Sequence, residues 1–269
     1  MTAADPDSAP RPDGDDGPDA AAGGTDEPSA GAPAPLVPPA SFLAAADALG
    51  LAFEPDELAR LGAYLARLID ANRRFNLTRI TDPEEAWTRH VLDSLALLPW
   101  VLQSGAERLL DVGSGGGLPG IPLAIAAPHL AVTLLESTGK KARFLEETAA
   151  ALGLDRVAVA CERAETLAHD RHGHREAYDV VTSRAVGRLP VLLELTVPFV
   201  RRGGLVLAIK GEQAPREIEE SAGALGILMA RTVDTVRTPT GTIVVIEKTG
   251  RTPRIYPRRP GEPKRVPLQ

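Results

Sequence analysis

Leu58, Leu61, Leu65 and Leu68 recur at three- and four-residue spacing, while Arg60, Arg67 and Asp70 fall off that stripe. The period predicts an amphipathic helix, opened by Pro55 and Asp56. Ahead of it, Ser41 is the expected N-cap of a helix from Phe42 to Leu49, with Gly50 stopping it. Asp82-Pro83-Glu84-Glu85 predicts another helix start, with a cap, proline at the first position and acids in the first turn. Trp87, Val91, Leu95 and Leu98 supply its apolar face, and Pro99 ends or bends it. Residues 41 to about 105 therefore predict a small helical N-terminal subdomain packed beside a sheet, not a separate unit.

From Arg108 short apolar runs alternate with helical stretches, the pattern of a parallel sheet. Strands are expected at 108–113, 131–136, 157–161, 178–183 and 205–210, with helices at about 120–127, 140–152, 190–200 and 215–225. Two last strands, near 230–237 and 242–248, are joined by Thr238-Pro239-Thr240-Gly241. That turn is too short for a parallel crossover, so the pair must be antiparallel. The fold class predicted is α/β, a Rossmann-like class I methyltransferase fold over 106–250, in which an antiparallel hairpin closes a parallel sheet. A dehydrogenase sheet would be parallel throughout.

Charge is unevenly spread. The formal net charge of −6 conceals an acidic leader, an almost balanced body and a basic tail at 251–269. Residues 1 to 40 are Ala, Pro, Gly and Asp with almost no large apolar side chain, a composition that predicts a disordered segment. The tail, rich in proline and arginine, is expected to be extended and mobile unless it lies on something anionic. Cys161 stands alone, which excludes an internal disulfide and a cysteine-based zinc site, and it is expected to be a small buried residue. With no signal peptide and no apolar run near the length of a spanning helix, a soluble cytoplasmic protein is expected.

Candidate chemistry centres on Asp111-Val112-Gly113-Ser114-Gly115-Gly116-Gly117-Leu118-Pro119-Gly120, a strand end, an acid and a glycine-rich turn. Such a turn lets backbone approach a nucleotide-like ligand at the carboxyl edge of a sheet. Gly115-x-Gly117-x-x-Gly120 also satisfies the dinucleotide fingerprint, but the Asp111 carboxylate would repel a pyrophosphate and attract a sulfonium. The motif leans towards S-adenosylmethionine. Glu136, 23 residues after Gly113, stands where an acid accepts hydrogen bonds from ribose hydroxyls, and Ala164-Glu165 where the adenine edge would lie. Arg184 and Lys210 end two further strands at the same edge and are candidates for holding a carboxylate, a phosphate or the target base.

Absences narrow the target. No Asn-Pro-Pro-Tyr, no Pro-Cys or Thr-Cys and no Lys-Asp-Lys-Glu-type set occurs, so a target needing no general base fits best. Guanine N7, with an in-plane lone pair and no proton to lose, is such a target. His90 is either a core histidine satisfied by Asp93 or a site residue. His169, His172 and His174 lack convergent carboxylates or cysteines, so an exposed loop and no metal are expected.

Asn76-Leu77-Thr78-x-Ile80, His90-x-x-Asp93-Ser94-Leu95, the Asp111–Gly120 turn, Ser183-Arg184-Ala185 and Tyr256-Pro257-Arg258-Arg259-x-Gly261 together resemble the bacterial glucose-inhibited division protein B family, the small-subunit ribosomal RNA methyltransferase G. The resemblance covers 41 to 269. It implies methyl transfer from S-adenosylmethionine to N7 of one guanine in the 530 loop of 16S rRNA, with Gly113, Leu118, Ala164, Glu165 and Arg184 touching the donor. The implied partner is 16S rRNA or the small ribosomal subunit. Ala71 departs from the tryptophan usual in that family, and the loop at 169–177 is longer than usual. The rivals are a nicotinamide-dependent oxidoreductase, a noncatalytic ribosome-binding module and, more weakly, a small-molecule methyltransferase.

Overall fold

In the computed structural model, which describes residues 33–269, the alternation after Arg108 builds one seven-stranded sheet. Its strands are β1 (Arg108–Val112), β2 (Ala131–Leu135), β3 (Val157–Ala160), β4 (Tyr178–Arg184), β5 (Val200–Lys210), β6 (Ala230–Thr238) and β7 (Gly241–Lys248). The order is β3-β2-β1-β4-β5-β7-β6. β1 to β5 pair parallel, and β7 runs antiparallel to both β5 and β6, as the short turn at 238–241 requires. The topological switch falls between β1 and β4, where chains of this architecture open a ligand crevice at the carboxyl ends. β5 begins earlier than its apolar run suggests, because Gly203, in the left-handed region, lets the chain bend while still paired with β4.

On one face lie α1 (Ala40–Ala48), α2 (Pro55–Asn72) and a helical run comprising α3 (Pro83–Ala86), a π-helical turn (Trp87–Leu92) and α4 (Asp93–Leu95), followed by α5 (Leu98–Gln103). α6 (Gly120–Ala126) and α7 (Gly139–Ala151) join them, and Leu61, Leu65, Leu68, Trp87, Val91 and Ile121 share one core with them. The opposite face carries α8 (Ala164–Leu167), α9 (Leu189–Thr196), α10 (Ala214–Glu219) and α11 (Ala222–Leu228). Among the described residues no helix is long and apolar enough to cross a membrane.

Local chemistry explains several boundaries. α1 starts at Ala40 behind Pro39, one residue before the expected Ser41 cap, and the Pro39 carbonyl receives the first helical N–H groups. Asp82 caps α3 by accepting from the Glu85 N–H at 2.8 Å. The 215–225 helix is two helices, α10 and α11, broken at Ser221. The leader expectation over 1–32 lies outside the described residues. Residues 33–40 are placed against the core: the Leu36 N–H donates to the Gly62 carbonyl at 3.1 Å, and a Cβ on Gly62 would stand 2.2 Å from the Leu36 oxygen.

The tail is the main departure. It folds back against α9, forms α12 (Glu262–Arg265) and buries Pro257, Pro263 and Leu268. Arg258 donates to both oxygens of the wholly buried Glu194 in α9. The anion on which the tail lies is thus a carboxylate of its own chain. Cys161 is exposed rather than buried, because β3 ends at Ala160 and the residue falls past the strand.

Candidate functional site

Two cavities open at the carboxyl edge of the sheet. The first, about 240 Å³, lies over the ends of β1 and β2, with Gly113, Glu136, Ala164, Glu165, Val186 and Gly261 in its wall. The second, about 1200 Å³, lies between the helical face and the ends of β4 and β5, with Thr78, His90, Asp93, Arg184, Lys210 and Thr240 in its wall. The bend after β4 serves both: Arg184 and Ala185 line the larger cavity, Val186 the smaller. Ala185 holds φ at 60° and Gly187 at 134°, a left-handed bend that costs a non-glycine residue conformational energy and is characteristic of functional sites.

The glycine turn is held from three sides. Tyr64 of α2 donates its hydroxyl to the Gly116 carbonyl at 2.9 Å. Glu136 accepts from the Gly115 N–H at 3.0 Å and from the Thr138 N–H at 2.8 Å. A carboxylate has about four acceptor sites, so Glu136 retains capacity toward hydroxyls in the cavity. Gly113 has φ 72°, and a Cβ there would stand 2.6 Å from Cγ2 of Val186, so only glycine leaves the cavity floor open.

Asp111 plays a different part from the expected one. It is fully buried beneath the turn and absent from the wall of the smaller cavity. One oxygen accepts from the Thr182 hydroxyl at 3.0 Å and the other from the Gly120 N–H at 3.2 Å. Burial pushes its carboxyl up to about 6 against these hydrogen bonds. The residue fixes the turn to β4 and to the start of α6. Leu118 is likewise packed in the core, and Gly115 spends its N–H on Glu136.

Of the other sequence candidates, Gly113, Glu136, Ala164 and Glu165 converge on the smaller cavity, whereas Arg184 and Lys210 face the larger one. Lys210 is bound to Glu217 at 2.7 Å and to the Gly187 carbonyl at 2.5 Å, so its charge is largely neutralised inside the fold. Arg184 donates to the Arg89 carbonyl at 2.7 Å and contacts Nδ1 of His90 at 2.9 Å. Because a guanidinium only donates, Nδ1 must accept, and the ring proton sits on Nε2, which reaches the Thr78 hydroxyl at 2.8 Å. Burial, with help from the Arg184 charge, lowers the His90 imidazole to about 4, consistent with that neutral tautomer.

His90 is therefore satisfied by Thr78 and Arg184, not by Asp93. Asp93 instead receives the Thr240 hydroxyl from the β6–β7 turn. Three contributions were missed from the sequence. The tail supplies Gly261, Pro263 and Lys264 to the smaller cavity, with the Gly261 N–H donating to Glu165 at 2.9 Å. The hairpin turn supplies Thr240, and the Asn76–Ile80 loop supplies Thr78, its backbone N–H bound by Asn72 at 2.9 Å. The tail motif at 256–261 was visible, but its burial depended on Glu194, far away in sequence. His169 and His174 are engaged by the Pro257 carbonyl and the Tyr178 hydroxyl.

Comparison with known proteins agrees with this architecture. A family model described as rRNA small subunit methyltransferase G matches residues 57–241. A protein named ribosomal RNA small subunit methyltransferase G from Sorangium cellulosum is 54% identical over 227 residues, covering 84% of this chain and 94% of the relative. One of the same name from Desulfitobacterium hafniense is 44% identical over 226 residues, covering 82% and 93%. The crystal structure of an O-methyltransferase from Bacillus cereus in complex with SAH matches with a TM-score of 0.53 at 19% identity, over 78% of this chain and 97% of that one, a likeness of fold. The chain belongs to the rRNA small subunit methyltransferase G family.

Proposed function

We propose that this chain transfers a methyl group from S-adenosylmethionine to N7 of a guanine in the 530 loop of 16S rRNA, in the cytoplasm. The observation that carries the reading is the pair of cavities meeting at Arg184–Val186, one small and lined by Gly113 and three carboxylates, the other broad and lined with arginines. The donor fits the smaller one. The bare Gly113 floor admits a ligand where a Cβ would block it, and Glu136 and Glu165 offer acceptors for hydroxyl and amino groups. Glu162 adds a third carboxylate to that wall, against the two cations Arg163 and Lys264, and Asp111 lies beneath it, a net acidic setting that suits a cation better than a diphosphate.

S-adenosylmethionine supplies an electrophilic methyl on a positively charged sulfur. Guanine N7 attacks with a lone pair already free, so this chain need not remove a proton and acts by placing the two partners in line. Arg184, clamped between His90 and the Arg89 carbonyl, is rigid at the junction and presents fixed positive charge to an RNA phosphate. Arg79 and Arg89 on the same wall extend that charge.

The test is tritiated-methyl transfer to rRNA from cells lacking the gene, with the modified nucleoside identified by mass spectrometry. 7-Methylguanosine is expected. S-adenosylhomocysteine binding without methyl transfer to 30S particles or their RNA would overturn the enzyme reading in favour of a ribosome-binding module.

A further inference from the structure

Asp93 is 8% exposed and lies in the wall of the larger cavity. Its Oδ1 accepts the Thr240 hydroxyl. Among the described residues none donates to its Oδ2, and that oxygen keeps some contact with solvent. The surrounding groups are already committed. Arg184 is spent on His90 and the Arg89 carbonyl, His90 on Thr78 and Arg184, and Glu217 on Lys210 and the Leu189 N–H. The Asp93 side chain is thus nine-tenths buried yet keeps one carboxylate oxygen without a protein donor beside the larger cavity, an acceptor that a ligand N–H can take over.

We propose that Asp93 is a specificity-determining residue that reads the Watson–Crick edge of the target guanine, accepting from its N1–H and N2 amino group. The inference rests on the guanine-N7 reading above. Guanine is the purine whose Watson–Crick edge presents two adjacent donors, a match for an acidic side chain; adenine presents a lone pair at N1, which a carboxylate repels. Those donors lie on the side of the purine opposite N7. A base gripped there therefore leaves N7 free to face the Arg184–Val186 junction with the smaller cavity. Thr240 holds the unused oxygen and fixes the carboxylate plane, making it a positioning residue.

The experiment compares the full-length wild type and Asp93→Asn on 16S rRNA carrying guanine or inosine at the target position. Inosine keeps N7 and N1–H but lacks the N2 amine. Wild type is expected to lose about tenfold or more in kcat/KM on inosine, because one of the two donors to the carboxylate is gone. Asp93→Asn is expected to lose at least about tenfold on guanine and to treat the two bases nearly alike, with S-adenosylhomocysteine affinity unchanged. A wild type indifferent to inosine overturns the inference without needing any variant, and so does an Asp93→Asn enzyme that still discriminates. Methyl found on a nucleoside other than 7-methylguanosine or 7-methylinosine overturns the guanine reading itself, and this inference with it.

Discussion

Glu194 and Arg258, 64 positions apart, form a two-pronged ion pair: Nε approaches Oε1 at 2.9 Å and Nη2 approaches Oε2 at 2.6 Å. Glu194 is wholly buried, and the Arg258 backbone N–H donates to it as well, at 2.8 Å. The guanidinium also reaches the Val266 carbonyl at 2.7 Å, so one side chain ties α9 to both ends of the tail. Removing one partner of such a pair strands the other's charge or polarity. Arg258→Gln should destabilise the fold by about 3 kcal/mol and lower Tm by several degrees. Because Gly261 and Lys264 stand in the wall of the smaller cavity, titration should also show weaker S-adenosylhomocysteine binding. Arg259→Gln, at an exposed neighbour, should leave both unchanged.

Gly113→Ala tests the cavity floor. Its φ of 72° costs an alanine about 1–2 kcal/mol, and the new methyl must displace Val186. S-adenosylhomocysteine affinity should fall about tenfold or more by isothermal titration, while circular dichroism stays near wild type. Retained affinity would remove the turn from the donor site.

His90 gives a pH signature. The unfolded imidazole takes its proton near 6.5 and the folded one only near about 4, so the unfolded state holds more protons between those values. Its contribution to stability is complete above about 6.5 and is lost as pH falls towards about 4, on the order of 3 kcal/mol in all. Asp111 acts oppositely: raised to about 6 from 3.8, it stabilises as pH falls through that window. Denaturation curves of wild type and His90→Asn should therefore be compared pairwise. The wild-type advantage should shrink on acidification, and a constant difference would show the ring to titrate normally.

Besides Arg251, which faces Glu176, the basic tail residues Arg254, Arg259, Lys264 and Arg265 are exposed. Replacing them with glutamine, with Arg258 kept, should weaken rRNA binding and flatten the plot of log K against log salt by about 0.7 for each phosphate no longer neutralised. Filter binding across a salt series checks it. An unchanged slope would leave the tail a purely structural element.

The strand–helix order and the antiparallel closing pair were legible because they rest on local periodicity and on one short turn, Thr238–Gly241. That Gly113, Glu136, Ala164 and Glu165 meet at one cavity was legible for the same reason, as each follows a strand end on one edge. Asp111 was placed at the right point, but its partners within the fold were not foreseen. Sequence shows an acid beside a turn, but whether it faces ligand or is bound by Thr182 and the Gly120 N–H depends on the packing of β4 and α6. The tail failed similarly. Proline and arginine suggest an extended arm until a buried glutamate elsewhere is known to await it.

The π-helical turn at Trp87–Leu92 places one extra residue in a helical run that contributes Trp87 and Val91 to the core and His90 and Asp93 to the larger cavity. Because a π-helical turn absorbs an extra residue at nearly constant rotation, deleting one residue there with a return to ordinary winding would leave α4 close to its present phase and change chiefly which side chains within the span face the larger cavity. The helix beyond Leu92 is thus buffered against a one-residue change in length, whereas the pairing of His90 with Arg184 is not.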